Sequence, residues 1–164
     1  LKRIGTPCLL VTHDQQDAFT FSDVVGVMNQ GQIEQWDSPY DLYHEPATRF
    51  VADFVGDGVF LDAEITGVDT IESELATLHG DLGDKVEIGK SIQLLIRPDD
   101  IIHDDNSKLT ARIHKKAFRG ENYLYTLVLP SGNKILSLVP SHHNHAIGED
   151  LGIKLEIDHL VYFD

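Results

Sequence analysis

The spacing of hydrophobic and polar positions changes near residue 56 of the chain. Before that point, apolar residues come in short runs or, as in 50–55, at helical spacing. After it, apolar and polar residues mostly alternate, which is typical of half-buried strands. Gly56-Asp57-Gly58 lies at the change. The pattern predicts two domains, an α/β part at 1–56 and a mostly β part at 57–164.

The first part is predicted to combine short helices with short strands. Gln15–Phe21 has helical spacing, and Asp14 is placed to cap its N-terminus. Asn29-Gln30-Gly31-Gln32 is a tight-turn signal between two apolar runs, which indicates a hairpin. The other predicted elements are a buried parallel strand at 9–12, hairpin strands at 24–28 and 33–36, and helices at 39–43 and 47–54.

The second part is predicted to consist of short strands separated by turns such as Pro130-Ser131-Gly132-Asn133. Many short strands at regular spacing are typical of a small sandwich or barrel. The predicted strands are 59–66, 71–78, 91–97, 109–118, 122–129, 134–139, 151–157 and 160–163.

The charge of the chain argues against two classes of partner. The 164 residues include 27 acidic and 13 basic side chains, which give a formal net charge of -14. Such a surface repels phosphate backbones and anionic lipid, so we predict no nucleic-acid partner. The alternative is a nucleic-acid surface, which the net charge disfavours. It would be formed by Lys115, Lys116 and Arg119 together with Tyr123 and Tyr125. No run reaches the roughly 20 apolar residues of a membrane span, so no direct membrane insertion is expected.

A single cysteine, Cys8, can form no disulfide within the chain. Its apolar neighbours predict a small buried hydrophobe in a reduced, cytoplasmic setting. The chain begins with Leu1 rather than Met, which we interpret as a piece of a longer protein.

The motif around His13 carries a family resemblance. Val11-Thr12-His13-Asp14-Gln15-Gln16-Asp17-Ala18 resembles the switch-histidine segment of ABC ATPases. Residues 22–35 are similar to the hairpin that follows in that family, and 38–43 and 46–56 to the helices that close its nucleotide-binding domain. The match departs at Asp17, where the family usually has Glu, and at 37–39, where it usually has Gly-Thr-Pro.

The second part resembles the OB-like regulatory domain of the maltose, spermidine and ferric-iron importers. The resemblance is carried by Ile96-Arg97-Pro98-Asp99-Asp100-Ile101 and by 159–164. Segments 35–39, 58–61 and 141–143 are most similar to the ferric-iron branch. The family resemblance therefore implies the C-terminal part of the ATP-binding subunit of a bacterial importer, with ferric iron as the expected substrate.

In this family the histidine that matches His13 contacts the γ-phosphate of ATP and helps to hold the attacking water. The resemblance thus implies His13 as a catalytic and ATP-binding residue, with ATP and Mg²⁺ as cofactors of the intact subunit. Taken without its motif, His13 would be read as a capping or packing residue. The chain contains no Gly-rich phosphate loop, signature motif or catalytic glutamate, so we expect it to bind no cofactor and hydrolyse no ATP alone.

The resemblance also implies partners and a location. Two copies of the subunit would close on ATP against transmembrane permease subunits, on the cytoplasmic face of the plasma membrane. The regulatory domains would pair as a homodimer. Two alternatives stay open: a ligand-sensing β module that binds a small ion or molecule, and a free-standing OB-type binding protein.

Three further sets of polar residues are candidate sites. His142-His143-Asn144-His145 lies in a predicted loop; a solvated loop is favoured over a physiological metal site, and we predict no metal. Asp104-Asp105-Asn106 is predicted to be a turn. Arg97-Pro98 is predicted to be structural, with contact to a regulatory partner or small anion as the alternative.

Overall fold

A computed structural model describes residues 7–83 and 86–164, so residues 1–6 of the first predicted part lie outside it. The chain divides into two compact units, one ending at Val55 and the other comprising Gly56–Asp164. We describe each unit by itself.

The first unit pairs a β-hairpin with three short helices. Its elements are α1 (Gln15–Phe21), β1 (Val25–Asn29), β2 (Gln32–Asp37), α2 (Pro39–His44) and α3 (Arg49–Val55). The hairpin closes through Gln30 and Gly31, whose φ angles of 48° and 83° are those of a two-residue primed turn. A small core forms around Val27, Leu42 and Val51. The predicted hairpin and helices are confirmed, with α3 starting two residues later than expected.

Local capping fixes where these helices begin. The Asp14 carboxylate accepts hydrogen bonds from the N–H groups of Gln16 and Asp17, at 2.9 and 3.1 Å. Ser38 caps α2 by accepting from the N–H of Asp41, with Pro39 at the first helical position. Each cap satisfies N–H groups that have no partner within the helix.

The predicted strand at 9–12 is wrong. Residues 7–12 form no regular element, and Leu9 and Val11 are 80% and 88% exposed. The prediction of a buried Cys8 is wrong for the same reason, since Cys8 is exposed. An apolar run becomes a buried parallel strand only against neighbouring strands, and among the described residues β1 and β2 pair only with each other.

The second unit is built from two five-stranded sheets. One has the order β12-β6-β3-β4-β5 and the other the order β10-β9-β8-β11-β7. The strands are β3 (Val59–Ile65), β4 (Thr70–Ser73), β5 (Thr77–His79), β6 (Ser91–Ile96), β7 (Ile101–His103), β8 (Thr110–Phe118), β9 (Asn122–Val128), β10 (Lys134–Pro140), β11 (Asp150–Leu155) and β12 (Tyr162–Phe163).

One hydrophobic core joins the two sheets. Leu94 and Ile96 of β6 contribute from one sheet, and Ile113, Tyr125 and Ile135 from the other, all fully buried. Alternation along the strands puts these side chains on the inner faces, as in the burial pattern of β10. The mostly β architecture that the sequence predicts is confirmed.

One strand prediction is wrong, and one strand of the structure has no counterpart among the predictions. The segment 71–78 is not one strand but the antiparallel pair β4 and β5, because Ser73 turns the chain by hydrogen-bonding Ala76 through both its backbone and its hydroxyl. β7 was not predicted, since three residues after a proline-led 3₁₀ turn (Pro98–Asp100) give too short a pattern.

Arg97 is buried, and its guanidinium bonds to backbone. Nη1 donates to the carbonyl oxygens of Gly56 and Asp57, at 3.0 and 3.2 Å. Its backbone N–H donates to Oδ2 of Asp100 at 2.7 Å. These contacts support the structural role predicted for Arg97: it fastens the start of the second unit to the end of β6.

Among the described residues, no helix is long and apolar enough to cross a bilayer.

The carboxylate beside Arg97 should make stability depend on pH. Burial raises the pKa of Asp100 to about 6, although the hydrogen bond from the Arg97 backbone opposes the shift. The folded state therefore holds this proton more tightly than the unfolded chain, whose Asp pKa is about 3.9. The free energy of unfolding should fall as pH rises from about 4 to about 6, by on the order of 1–2 kcal/mol after solvent screening.

Asp100→Asn removes this titration. The difference in the free energy of unfolding between this variant and the unsubstituted chain should therefore change between about pH 4 and about pH 6. Urea unfolding followed by circular dichroism at several pH values measures it. Asp62→Asn, at an exposed position of β3, is the control. A difference that stays constant with pH would contradict the assignment.

Candidate functional site

His13, the catalytic residue that the family resemblance implies, is exposed and immediately precedes the N-cap of α1. The next residue, Asp14, is held by three hydrogen bonds: its carboxylate accepts from the N–H groups of Gln16 and Asp17, and its own N–H donates to the hydroxyl of Thr12 at 3.0 Å. The helix start predicted after His13 is present and the strand predicted before it is not. His13 and the histidines of the second unit lie in separate units.

In the second unit the fold brings three histidines together. One ligand atom from each of His103, His143 and His145 lies within 4.8 Å of the others. His103 is the last residue of β7, and the other two lie in the loop 141–149 between β10 and β11. β7 pairs antiparallel with β11, with His103 opposite Ile153, so the loop that leads into β11 returns beside the end of β7.

Gly152 of β11 makes the close approach of this strand pair possible. A Cβ at this position would lie 2.3 Å from the carbonyl oxygen of Asp104, well inside contact distance. In its absence the N–H of Asp104 donates to the Gly152 carbonyl at 2.9 Å. The turn predicted at 104–106 is present, with the N–H of Asn106 donating to the Asp104 carboxylate. His103 thus stands at the start of a fixed turn.

The buried side chain of Tyr125 binds the backbone of the loop 141–149. Its hydroxyl donates to the carbonyl oxygen of His143 at 2.7 Å and accepts from the N–H of His145 at 3.1 Å. Lys116 of β8 adds two bonds from Nζ, to Oδ1 of Asn144 at 2.7 Å and to the carbonyl oxygen of His145 at 2.9 Å. The backbone on both sides of Asn144 is therefore anchored to β8 and β9.

Each of two imidazoles has a carboxylate partner. Glu149 Oε1 lies 3.1 Å from Nδ1 of His145, and Oε2 accepts from the N–H of Ala146 at 2.8 Å. These two hydrogen bonds, the backbone one first, lower the pKa of Glu149. Asp105 Oδ1 lies 2.9 Å from Nε2 of His103. A carboxylate at one ring nitrogen fixes the tautomer and orientation of the imidazole.

The other nitrogen of His145, Nε2, is buried and has no hydrogen-bond partner among residues 7–83 and 86–164. The ring centroids of His103 and His145 are 5.0 Å apart, with an 81° angle between the rings. Buried polar nitrogens almost always have a partner, so one that lacks it calls for an explanation.

The sequence draws attention to His143 and His145 within the loop 142–145, where no metal is predicted, and gives no reason to connect them with His103. The missing information was the pairing of β7 with β11, and β7 itself carries too weak a pattern to predict. A histidine at the end of a short apolar run, followed by Asp-Asp-Asn, was the available signal.

An open groove of about 630 Å³ runs beside β8 and β9. Arg112 and Asp150 lie in its lining and bind each other through two hydrogen bonds, at 2.9 and 3.0 Å. The hydrogen bond from Arg112 lowers the pKa of the Asp150 carboxyl. The guanidinium of Arg112 in this groove is therefore already paired with the carboxylate of Asp150.

Two of the three basic side chains of the candidate nucleic-acid surface have partners within the second unit. Arg119 forms an ion pair with Asp57, and Lys116 bonds to the loop. Tyr125 is fully buried and offers no ring face for a base to stack on.

The second unit is similar to known proteins in both sequence and fold. A sequence profile described as the TOBE domain matches residues 94–163. A solved structure of the cytoplasmic molybdate-binding protein ModG, with molybdate bound, superimposes with a TM-score of 0.50 at 14% identity, over 64% of this chain and 94% of that one. The second unit therefore has an OB-like TOBE fold, as the sequence resemblance implied.

Three relatives then cover both units. Proteins called spermidine/putrescine import ATP-binding protein PotA are 32% identical over 160 residues in Desulfitobacterium hafniense, 40% over 130 in Oleidesulfovibrio alaskensis and 35% over 159 in Borreliella afzelii. The alignments cover 94%, 73% and 96% of this chain but only 44%, 35% and 45% of the relatives. The chain is thus a relative of the ATP-binding subunits of ABC importers and corresponds to their C-terminal part, including the regulatory domain.

The Tyr125 hydroxyl should control the order of the histidine loop. Tyr125→Phe keeps the buried ring but removes both bonds to the loop backbone, so we expect a loss of about 1–2 kcal/mol in the free energy of unfolding. The amides of 143–146 should also exchange faster with solvent. Tyr123→Phe is the matched control, because the Tyr123 ring neighbours that of Tyr125. It should change the free energy of unfolding by less than about 0.5 kcal/mol. Equal effects of the two substitutions would contradict the anchoring role.

Proposed function

We propose that the chain is the C-terminal part of the ATP-hydrolysing subunit of a bacterial ABC importer. Residues 1–56 would complete its nucleotide-binding domain, and 57–164 would form its regulatory and dimerisation domain. The observation that carries the proposal is similarity to importer subunits over 94% of the chain, through both units, although the chain spans less than half of the first relative's length.

Exposed apolar side chains in the first unit support this proposal. Leu9, Val11, Phe21 and Trp36 are each more than half exposed. A larger nucleotide-binding domain would cover these residues and supply the sheet that the run at 9–12 lacks.

Within that larger domain His13 would act on ATP and Mg²⁺. Its place before a capped helix suits an imidazole that donates to a phosphate oxygen and orients water. The chain's own 164 residues contain no phosphate loop, so His13 is expected to act only in the intact subunit.

For the transported substrate we infer a polyamine. The three relatives are named for spermidine and putrescine import, and the comparisons do not support the ferric-iron prediction. The local likeness at 35–39, 58–61 and 141–143 lies in a subunit whose work is ATP hydrolysis, so it says little about a solute that other subunits bind.

The proposed partners are transmembrane permease subunits and a second copy of the subunit, on the cytoplasmic face of the membrane. Pairing of regulatory domains would use strand edges such as β5, β7, β10 and β12, which lie at the ends of the two sheets.

The role of His13 can be tested in the full-length subunit that contains this chain. His13→Ala should lower ATP hydrolysis by about 10²-fold, because a group that stabilises the transferring phosphate is lost, while ATP still binds. Phosphate release and nucleotide binding measure the two effects. His79→Ala, at an exposed position of β5, is the control. Hydrolysis within twofold of the unsubstituted subunit would exclude the switch role.

Substrate class is tested by transport. The subunit, reconstituted with its permease and binding protein in proteoliposomes, should drive ATP-dependent uptake of labelled spermidine or putrescine. Ferric ion should not accumulate, and His13→Ala should abolish polyamine uptake. Uptake of ferric ion without polyamine uptake would restore the first prediction and overturn this one.

A further inference from the structure

We propose that His103, His143 and His145 form a binding site for a divalent transition metal of the Zn²⁺ class. The proposal concerns the second unit alone and stands whether or not the importer function is correct. It replaces the expectation from sequence that the histidine loop has no metal role, because the fold adds a third ligand from β7.

The donor set selects the kind of metal. Neutral imidazole suits Zn²⁺, Cu²⁺, Ni²⁺ and Co²⁺, whereas Mg²⁺ and Ca²⁺ prefer oxygen ligands. Three histidines with a fourth position left for water or another small ligand is a known arrangement for zinc. His143 is exposed and the other two are half-buried, so an ion can reach the cluster from solvent.

The geometry is close to what coordination requires. Tetrahedral Zn²⁺ at about 2.0–2.1 Å from each nitrogen puts the nitrogens about 3.3 Å apart. The three ligand atoms already lie within 4.8 Å of one another, so each pair would have to approach by no more than about 1.5 Å to reach that separation. The plane of the His103 ring is turned by 81° from those of His143 and His145, whereas the latter two planes differ by 29°.

The unpartnered Nε2 of His145 is the strongest single observation. Glu149 occupies Nδ1 of this ring, which leaves the lone pair on buried Nε2 without a partner among the described residues. A carboxylate on one nitrogen and a metal on the other is the usual environment of a metal-binding histidine. A bound ion would satisfy the nitrogen that the fold leaves unsatisfied.

Local charge favours a cation overall. Asp105 and Glu149 contact two of the three ligands, and the chain carries a net charge of -14. Lys116 opposes this effect, but its ammonium group is directed to the His145 carbonyl and to Asn144. The two carboxylates touch the rings themselves, whereas the lysine bonds to the loop's oxygens.

The site would link two elements that sequence separates. His103 belongs to a strand, and the other two ligands to a loop anchored by Tyr125. Metal binding should therefore stabilise the loop against β7, in addition to the bonds it already has. His142 is not among the clustered ligands, although its ring lies 4.4 Å from that of His143.

Calorimetry with Zn²⁺ alone, on the full 164-residue chain after treatment with a chelator, tests the site. We expect one ion per chain with micromolar or tighter affinity, and a raised melting temperature. His103→Ala, His143→Ala and His145→Ala should each weaken binding at least tenfold. His142→Ala, in the same loop, and His114→Ala, on β8, are matched controls that should stay within twofold.

His103→Gln is a second variant should His103→Ala disturb the fold, which circular dichroism would show. The visible spectrum of bound Co²⁺ should also weaken with each ligand substitution and not with the controls. Two results would overturn the proposal. Absence of stoichiometric Zn²⁺ binding would show that there is no site. An equal loss of affinity in His142→Ala and His103→Ala would show that the loop histidines chelate the ion without β7.

Discussion

The arrangement of His103, His143 and His145 depends on the hydrogen bonds of one buried group, the hydroxyl of Tyr125. It both donates to and accepts from the backbone of the loop between β10 and β11. A fully buried phenol needs hydrogen-bond partners, and the loop between β10 and β11 supplies them. The core of the sheet thus dictates the path of the loop, and the loop's path places two imidazoles beside the third at the end of β7.

The same dependence explains what could be foreseen from sequence. Alternation along 59–66 and 134–139, the turn at Gln30-Gly31, and the capping of α1 by Asp14 are local signals, and each gave the correct element. The sequence-based predictions fail where the pairing of one strand with another decides whether a segment is a strand. The run at 9–12 has the composition of a buried strand but no partner among the described strands, and β7 gains its identity only from β11. His103 was missed as a site residue for this reason.

Family resemblance and geometry give different kinds of information about the chain. The ordered motif around His13 lies in the first unit, whereas the likeness to importer ATP-binding subunits extends over both units. The TOBE match fixes the fold of the second unit but names no chemistry for its surface. The histidine cluster arises from contacts of this chain's own residues, and it gives that surface a specific ligand class. An ion bound there would order a loop within a domain whose proposed work is regulatory.

The most direct measurement of this account is the location of the ion itself. Crystals of the chain grown with Zn²⁺ and measured on both sides of the zinc absorption edge would show it as an anomalous peak. The account predicts one strong peak bonded to His103, His143 and His145, with Glu149 still at Nδ1 of His145. A peak bonded to His142 without His103, or zinc held only between neighbouring molecules, would contradict it.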